Sequence, residues 1–289
     1  MLWGGAALAA EKVSPYLNGV NVSYTDELAH RSSLIAHSIV TFKLVRFPGG
    51  LLADEYRWIS GVGLGLKDGQ TGTKGFAEFC EGIGAEKMIT VNFKTGTAAE
   101  AANWVEFANG IAQEKIPAEW EKTPYAYYHS APAGYFAYLR ESMERKKPYA
   151  VKFWEIGNEI DWWNRIDAAS YAREAVKFAR AMRAKDKSIL IGACASPMND
   201  EWNKELLRIA GRHLDFVVIH IYGGPEKIYQ DKDEEYKALF GKLEVAEQRL
   251  VKIKKLIKKY APRCRIAVTE SNTSYNEFGL GKDELKKWK

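Results

Sequence analysis

The chain has 289 residues, 46% of them hydrophobic and 27% charged, enough to bury one large core. Its formal net charge of +5 is well mixed, with no tract able to neutralise many phosphates, which argues against a nucleic-acid partner. No run of about eighteen apolar residues occurs, so no helix is expected to cross a membrane. Cys80, Cys194 and Cys264 are odd in number and far apart, which excludes a disulfide framework and reads as three small buried side chains.

The opening MLWGGAALAA is apolar but lacks a basic leader and is too short for a whole signal peptide, so localisation is left open. Short apolar runs then alternate with helical patterns. The expected first strand is 19–23 (GVNVS), followed by a helix over 25–40 with Thr25 or Asp26 as cap and Leu28, Ile35 and Ile39 on its apolar stripe. The second strand, 43–47, stops at Pro48-Gly49-Gly50. A loop rich in glycine and aromatic residues leads to a helix over 74–82, which Gly82 and Gly84 end. The third strand is 87–92, and Thr97 caps a helix reaching 112, with Glu100 at the capping-box position.

Residues 114–149 are too many for an ordinary connection, and their Pro and Tyr content suggests a partly helical insertion over the strand ends. Strand four (151–156), helix 168–184, strand five (188–194), helix 200–211 and strand six (215–221) follow. The longest helix, 233–260, carries Leu239, Leu243, Ala246, Leu250, Ile253, Ile257 and Tyr260 as one narrow apolar stripe. Strand seven is 265–269.

Near-continuous apolar strands separated by helices point to a parallel sheet covered on both faces. An open doubly wound sheet competes, but the turn after the first strand reads SYTDELAH, with no glycine-rich phosphate loop. The expectation is therefore α/β, a (β/α)8-type TIM barrel apparently truncated after strand seven, because the segment 271–289 reads as loop plus a short basic helix. The whole of 1–289 reads as a single domain with a missing eighth βα unit. The open edge this leaves is a surface for self-association, or for a partner segment that closes the barrel.

In such barrels chemistry sits where strands end. The polar residues there are Arg46, Asn92, Asn158, Glu159, His220, Tyr222, Glu270 and Asn272. Glu159 and Glu270 each follow an apolar strand directly, where an unpaired charge is costly. Strands four and seven face each other across a barrel mouth. A carboxylic acid and a carboxylate placed so are what glycoside hydrolysis needs. Position alone leaves the pair open between that role and structural carboxylates that pair with a cation such as Arg46 or cap a helix.

The local sequence adds a resemblance. WEIGNE (154–159), followed much later by VTES (268–271), is similar to the clan A glycoside hydrolases, in which Asn-Glu ends strand four and a lone Glu ends strand seven. RFPGG (46–50), the loop 56–65, TVNFKTGTAAEAANWVEFAN (90–109), KFWEIGNEID (152–161) and HIYGG (220–224) most resemble the α-L-arabinofuranosidases of glycoside hydrolase family 51. Xylosidase and endo-glycanase families of the same clan stand next. The resemblance implies Glu159 as acid/base and Glu270 as nucleophile. It implies Asn158 as the partner of a sugar 2-hydroxyl, and Arg46 and Asn92 as supports on the nucleophile side. His220 and Tyr222 would border the nucleophile, and Trp58 would line a sugar subsite. No metal or cofactor is implied, and the partner is an oligo- or polysaccharide substrate. The chain departs from the family after Glu270 (SNTSYNEFG), and neither the segment that precedes the family's second helix nor its β-sandwich is recognisable.

The chemistry makes its own demands. Glu159 must hold a proton before attack, so burial against Trp154 or Trp162 and the charge of Glu270 are expected to raise its pKa. A retaining pair is expected about 5–5.5 Å apart. His30, His37, His129 and His213 show no metal-ligand spacing, and KIKKLIKKY (252–260) reads as the solvated face of an outer helix. A non-catalytic carbohydrate-binding barrel is the rival from another class.

Overall fold

The computed structural model describes residues 14–25, 42–61, 70–112, 131–163, 165–223 and 231–273. The helix expected over 25–40 and the segment after 273 lie outside these. Seven strands form one sheet in chain order, every neighbouring pair parallel. They are β1 (Gly19–Asn21), β2 (Leu44–Phe47), β3 (Glu86–Val91), β4 (Phe153–Ile156), β5 (Leu190–Cys194), β6 (Phe216–Gly223) and β7 (Arg265–Thr273). The helices are α1 (Thr73–Ile83), α2 (Ala98–Asn109), α3 (Tyr135–Met143), α4 (Ala168–Lys185), α5 (Asp200–Ala210) and α6 (Lys232–Tyr260). The sheet curls until β1 meets β7, where the Asn21 amide donates to the Thr269 carbonyl at 2.8 Å. This is a nearly closed TIM-type barrel, and no eighth strand stands among the described residues.

Alternation along the strands sorts the side chains into two cores. Val45, Phe47, Ile89, Val91, Trp154, Ile156, Ile191, Ala193, Val217 and Ile219 face outward and bury against the helices. Met88, Phe216 and Val218, with Leu44, Phe153, Leu190 and Ala267 packed on them, plug the barrel from within. Gly192 belongs to this inner layer. A Cβ there would meet the Phe216 ring at 2.0 Å, so the missing side chain is what lets the ring fill the barrel axis. Above the plug the inward positions turn polar, with Arg46 on β2, Thr90 on β3 and Glu155 on β4.

The helix ends follow their sequence signals. The Thr97 hydroxyl accepts from Glu100 N at 3.1 Å, and Asp167 and Asn199 cap α4 and α5 in the same way. Gly84 ends α1 in the left-handed region at φ 68°. The Glu100 carboxylate pairs with Arg57, a contact that local sequence does not announce. The three cysteines are free and buried, as expected.

One expectation needs correcting. The described part of the 114–149 insertion, α3, packs against α2 and not over the strand ends. Buried Arg140 pins it there by donating to Phe107 O at 2.9 Å and Gly110 O at 2.8 Å, the carbonyls at the end of α2. Among the described residues of the α6 stripe, burial lies toward the C-terminal end. Ile253 and Ile257 are buried and Leu250 and Tyr260 pack on the core, whereas Leu243 is 62% exposed. Neighbouring α5 is much shorter and covers only part of this 29-residue helix.

Candidate active site

The mouth is organised around one cation. Arg46 is 3% exposed, and all five of its guanidinium N–H donors find acceptors. Nε donates to Glu155 Oε2 at 2.5 Å, and Nη2 donates to Glu155 Oε1 at 3.1 Å and Asn158 Oδ1 at 2.8 Å. Nη1 donates to Glu270 Oε1 at 2.9 Å and Asn21 Oδ1 at 3.1 Å. Burial works against the charge, but Glu155 and Glu270 outweigh it and raise the guanidinium's pKa further. Glu155 itself is fully buried and takes a third bond, from the Thr90 hydroxyl at 3.0 Å.

The segment after β4 is held from several directions. Gly157 N donates to Val91 O at 3.0 Å, and Asn158 N donates to Asp54 Oδ2 at 3.0 Å. The Cys194 thiol donates to Gly157 O at 3.2 Å. Gly157 sits at φ 76°, and a Cβ there would meet the Phe93 Cβ at 2.8 Å. Glu159 then adopts φ 51°, which a non-glycine residue holds only when its surroundings impose it. That turn throws the Glu159 side chain toward β6. There Glu159 Oε1 lies 3.0 Å from His220 Nδ1, while His220 Nε2 lies 3.0 Å from the Thr269 hydroxyl.

A bulge completes the arrangement. Ile219 pairs with Val268 but His220 pairs with Glu270, so Thr269 is an extra residue in β7. The bulge lets two successive residues serve the same mouth, Thr269 holding His220 and Glu270 holding Arg46. The Tyr222 hydroxyl donates to Glu270 Oε2 at 2.5 Å, and His220 Nδ1 stands 3.7 Å from the same oxygen. Burial and the adjoining Glu270 carboxylate raise the Tyr222 pKa, so the phenol stays a donor. Glu159, His220 and Glu270 each offer an atom within 4.8 Å of the others, and among the described residues they are the group able to hold a metal ion. A cation there would compete with Arg46 for Glu270.

Six of the expected residues therefore converge: Arg46, Asn158, Glu159, His220, Tyr222 and Glu270. Asn92 does not touch Glu270. Its side chain builds the loop after β3, accepting from Thr95 N at 2.9 Å and Gly96 N at 3.0 Å. Trp58 is 2% exposed, stacks on Trp104 and donates its indole N–H to Glu100 O at 3.1 Å, so it is core and not a subsite wall. The expected rise in the Glu159 pKa is also reversed. The His220 hydrogen bond lowers it and outweighs the opposing effect of burial, and Arg46 and Lys94 pull the same way. Trp154 is buried in the outer core and Trp162 is 63% exposed, so neither encloses the carboxyl as expected.

Sequence reasoning missed Asp54, Glu155 and Thr269. Glu155 had a signal, a charge inside the apolar run KFWEI. Asp54 had none, because its three partners, Phe93 N, Lys94 N and Asn158 N, are remote in the chain.

Parallel strands closing on a polar mouth, with glutamates from the ends of β4 and β7, define a TIM-type barrel with a two-carboxylate site. A family model described as the Alpha-L-arabinofuranosidase 1 domain matches residues 38–239, and the chain belongs to that family. The protein named probable alpha-L-arabinofuranosidase C from Aspergillus niger is 31% identical over 204 residues, covering 64% of this chain and 36% of that one. An intracellular exo-alpha-(1->5)-L-arabinofuranosidase from Acetivibrio thermocellus is 27% identical over 202 residues, covering 63% of this chain and 36% of its own. The crystal structure of the Thermotoga maritima alpha-L-arabinofuranosidase in its arabinose complex superposes with a TM-score of 0.70 at 28% identity, over 92% of this chain and 52% of that one. The chain thus spans about a third of the length of these curated relatives and about half of the solved one.

Proposed function

We propose that this barrel is the catalytic unit of a retaining glycoside hydrolase that cleaves O-glycosidic bonds of arabinofuranosides in oligo- or polysaccharides. The observation that carries the reading is the pairing of Glu159 with Glu270 across the mouth, with ligand atoms within 4.8 Å. Retaining pairs stand about 5–5.5 Å apart, and inverting pairs about 6.5–9.5 Å, to admit a water. Arg46 holds one oxygen of Glu270 and aims the carboxylate, and Tyr222 holds its second oxygen. Glu270 would attack the anomeric carbon while Glu159 gives its proton to the leaving oxygen. Once Glu270 is esterified its charge is gone, and Glu159 would take a proton from water to release the sugar.

Asn158 fits the part of a sugar-hydroxyl partner. Its Oδ1 is committed to Arg46, which fixes the amide's orientation, and its Nδ2 is buried with no partner among the described residues. An unmet buried donor costs about 1–3 kcal/mol, which a bound hydroxyl would relieve.

The test is hydrolysis of aryl glycosides, with NMR of the first-formed anomer. The expected results are turnover of the α-L-arabinofuranoside, retention of configuration, and losses of roughly 100-fold or more in both Glu159→Gln and Glu270→Gln. An inverted product would refute the mechanism. Preference for a xyloside or an internal polysaccharide bond would move the assignment to the related clan members. Saccharide binding without turnover would favour the non-catalytic barrel.

A further inference from the structure

The end of the barrel opposite the mouth gathers charge that lies scattered along the chain. Each helix runs back against its strand, so helix C-termini and the starts of the following strands share this end. Segments 180–187, 208–215 and 258–265 meet there. Arg183 donates to His213 O at 2.5 Å and pairs with Asp215. The Cys264 thiol donates to Gly211 O at 3.3 Å, and Arg265 N donates to Asp215 O at 2.9 Å. The three segments hold ten lysines and arginines against two carboxylates, Asp186 and Asp215, in a chain whose formal net charge is only +5.

We propose that this face docks an acidic polysaccharide, its guanidinium and ammonium groups pairing with the carboxylates of successive uronate units. Arg180, Arg212, Lys258, Lys259, Arg263 and Arg265 are exposed, and none of them pairs with a carboxylate among the described residues. Asp215 is already taken by Arg183, and Asp186 by Ser188 and Asn109. Arg212 Nε instead donates to a neutral acceptor, His213 Nε2, at 3.1 Å. The surplus is felt at that ring: burial, and then the charges of Arg180, Arg212 and Arg183, lower the His213 pKa.

Helix ends explain part of this charge. Lys258 and Lys259 stand in the last turn of α6, where cations offset the exposed carbonyls. Arg180 precedes the last turn of α4, and Arg263 and Arg265 lie beyond α6, so helix dipoles do not account for them. Guanidinium groups match carboxylates in a two-pronged fork, which favours a polyuronate over a neutral glycan. No large apolar side chain of these segments is exposed, as insertion into a lipid surface would need. Tyr260 is half-buried, with Lys259 Nζ over its ring at 4.9 Å, and offers nucleic-acid bases no open stacking platform. The face lies at the far end from Glu159 and Glu270, so a polymer bound to it leaves the mouth open.

Affinity electrophoresis through polygalacturonate tests this. The chain is expected to be retarded at about 0.02 M salt and released at about 0.5 M, where screening shortens the reach of exposed charges to a few ångströms. Combining Arg180→Ser, Arg212→Ser and Arg263→Ser should weaken binding roughly tenfold or more, whereas Arg173→Ser with Lys177→Ser, two exposed cations on α4 outside these segments, should change it by about twofold at most. Should the triple variant melt below the assay temperature, Lys258→Gln with Lys259→Gln on the exposed last turn of α6 reads the same loss. Hydrolysis of a small aryl glycoside should be unchanged in all of them, so the result stands apart from the reading of the mouth. Folded variants that bind polygalacturonate as the parent chain does overturn the proposal, and so does equal retardation by neutral dextran. Tighter binding to duplex DNA or to phosphatidylserine vesicles than to polygalacturonate overturns the choice of partner.

Discussion

Arg46 bears two duties that substitution can separate. It neutralises Glu155 inside the barrel and orients Glu270 at the mouth. Arg46→Met would strand Glu155 as a buried charge and should cost about 3–5 kcal/mol in urea unfolding, along with activity. Adding Glu155→Leu removes the stranded charge and should return much of the stability but none of the turnover. Tyr222 presents the opposite case, being 46% exposed and touching Glu270 by its hydroxyl alone. Tyr222→Phe is expected to lower kcat about tenfold or more, since hydrogen bonds to charged groups contribute about 1.5–3 kcal/mol, while thermal melting barely moves. These residues were legible in the sequence because each is a polar group at the end of an apolar run. Trp58 and Asn92 were misread for a related reason: a motif reports that a residue matters, not whether it faces the mouth or supports the wall behind it.

Among elements, strand alternation sets which residues fill the barrel and which meet the helices. The inner plug is tight at Gly192, where any Cβ overlaps the Phe216 ring. Gly192→Ala should therefore destabilise by roughly 1–3 kcal/mol, and Phe216→Leu in the same chain should recover part of the loss, both measurable by chemical denaturation. The bulge at Thr269 is the element-level device on which the site depends. In a regular strand Thr269 and Glu270 would point to opposite faces, and one of them would leave the mouth. No pattern in RIAVTES announces it, because a bulge is a property of the paired strands and not of one.

For the molecule as a whole, the seam between β1 and β7 is the least secured junction among the described strands. Only three residues of β1 pair with β2, and across the seam the described link is Asn21 to the Thr269 carbonyl. Hydrogen exchange should be slowest in β2 to β6, which have ladder partners on both sides, and faster along β1 and the β7 edge. If a second copy covers that edge, protection in β7 will rise with protein concentration and sedimentation will show association. Concentration-independent exchange in a monomer would count against self-association there.

The sequence by itself determined the order of strands and helices, the barrel class and six residues that meet at the mouth. Period-2 and period-3.6 patterns, caps and glycine stops act locally and can be read along the chain. Only the tertiary structure decided the electrostatics. The proton affinity of Glu159 depends on its burial and on His220, Arg46 and Lys94, all three remote from it in sequence. Charge interactions depend on distance and burial, which folding alone specifies, so the lowering of the Glu159 pKa by His220 could not be read from its motif.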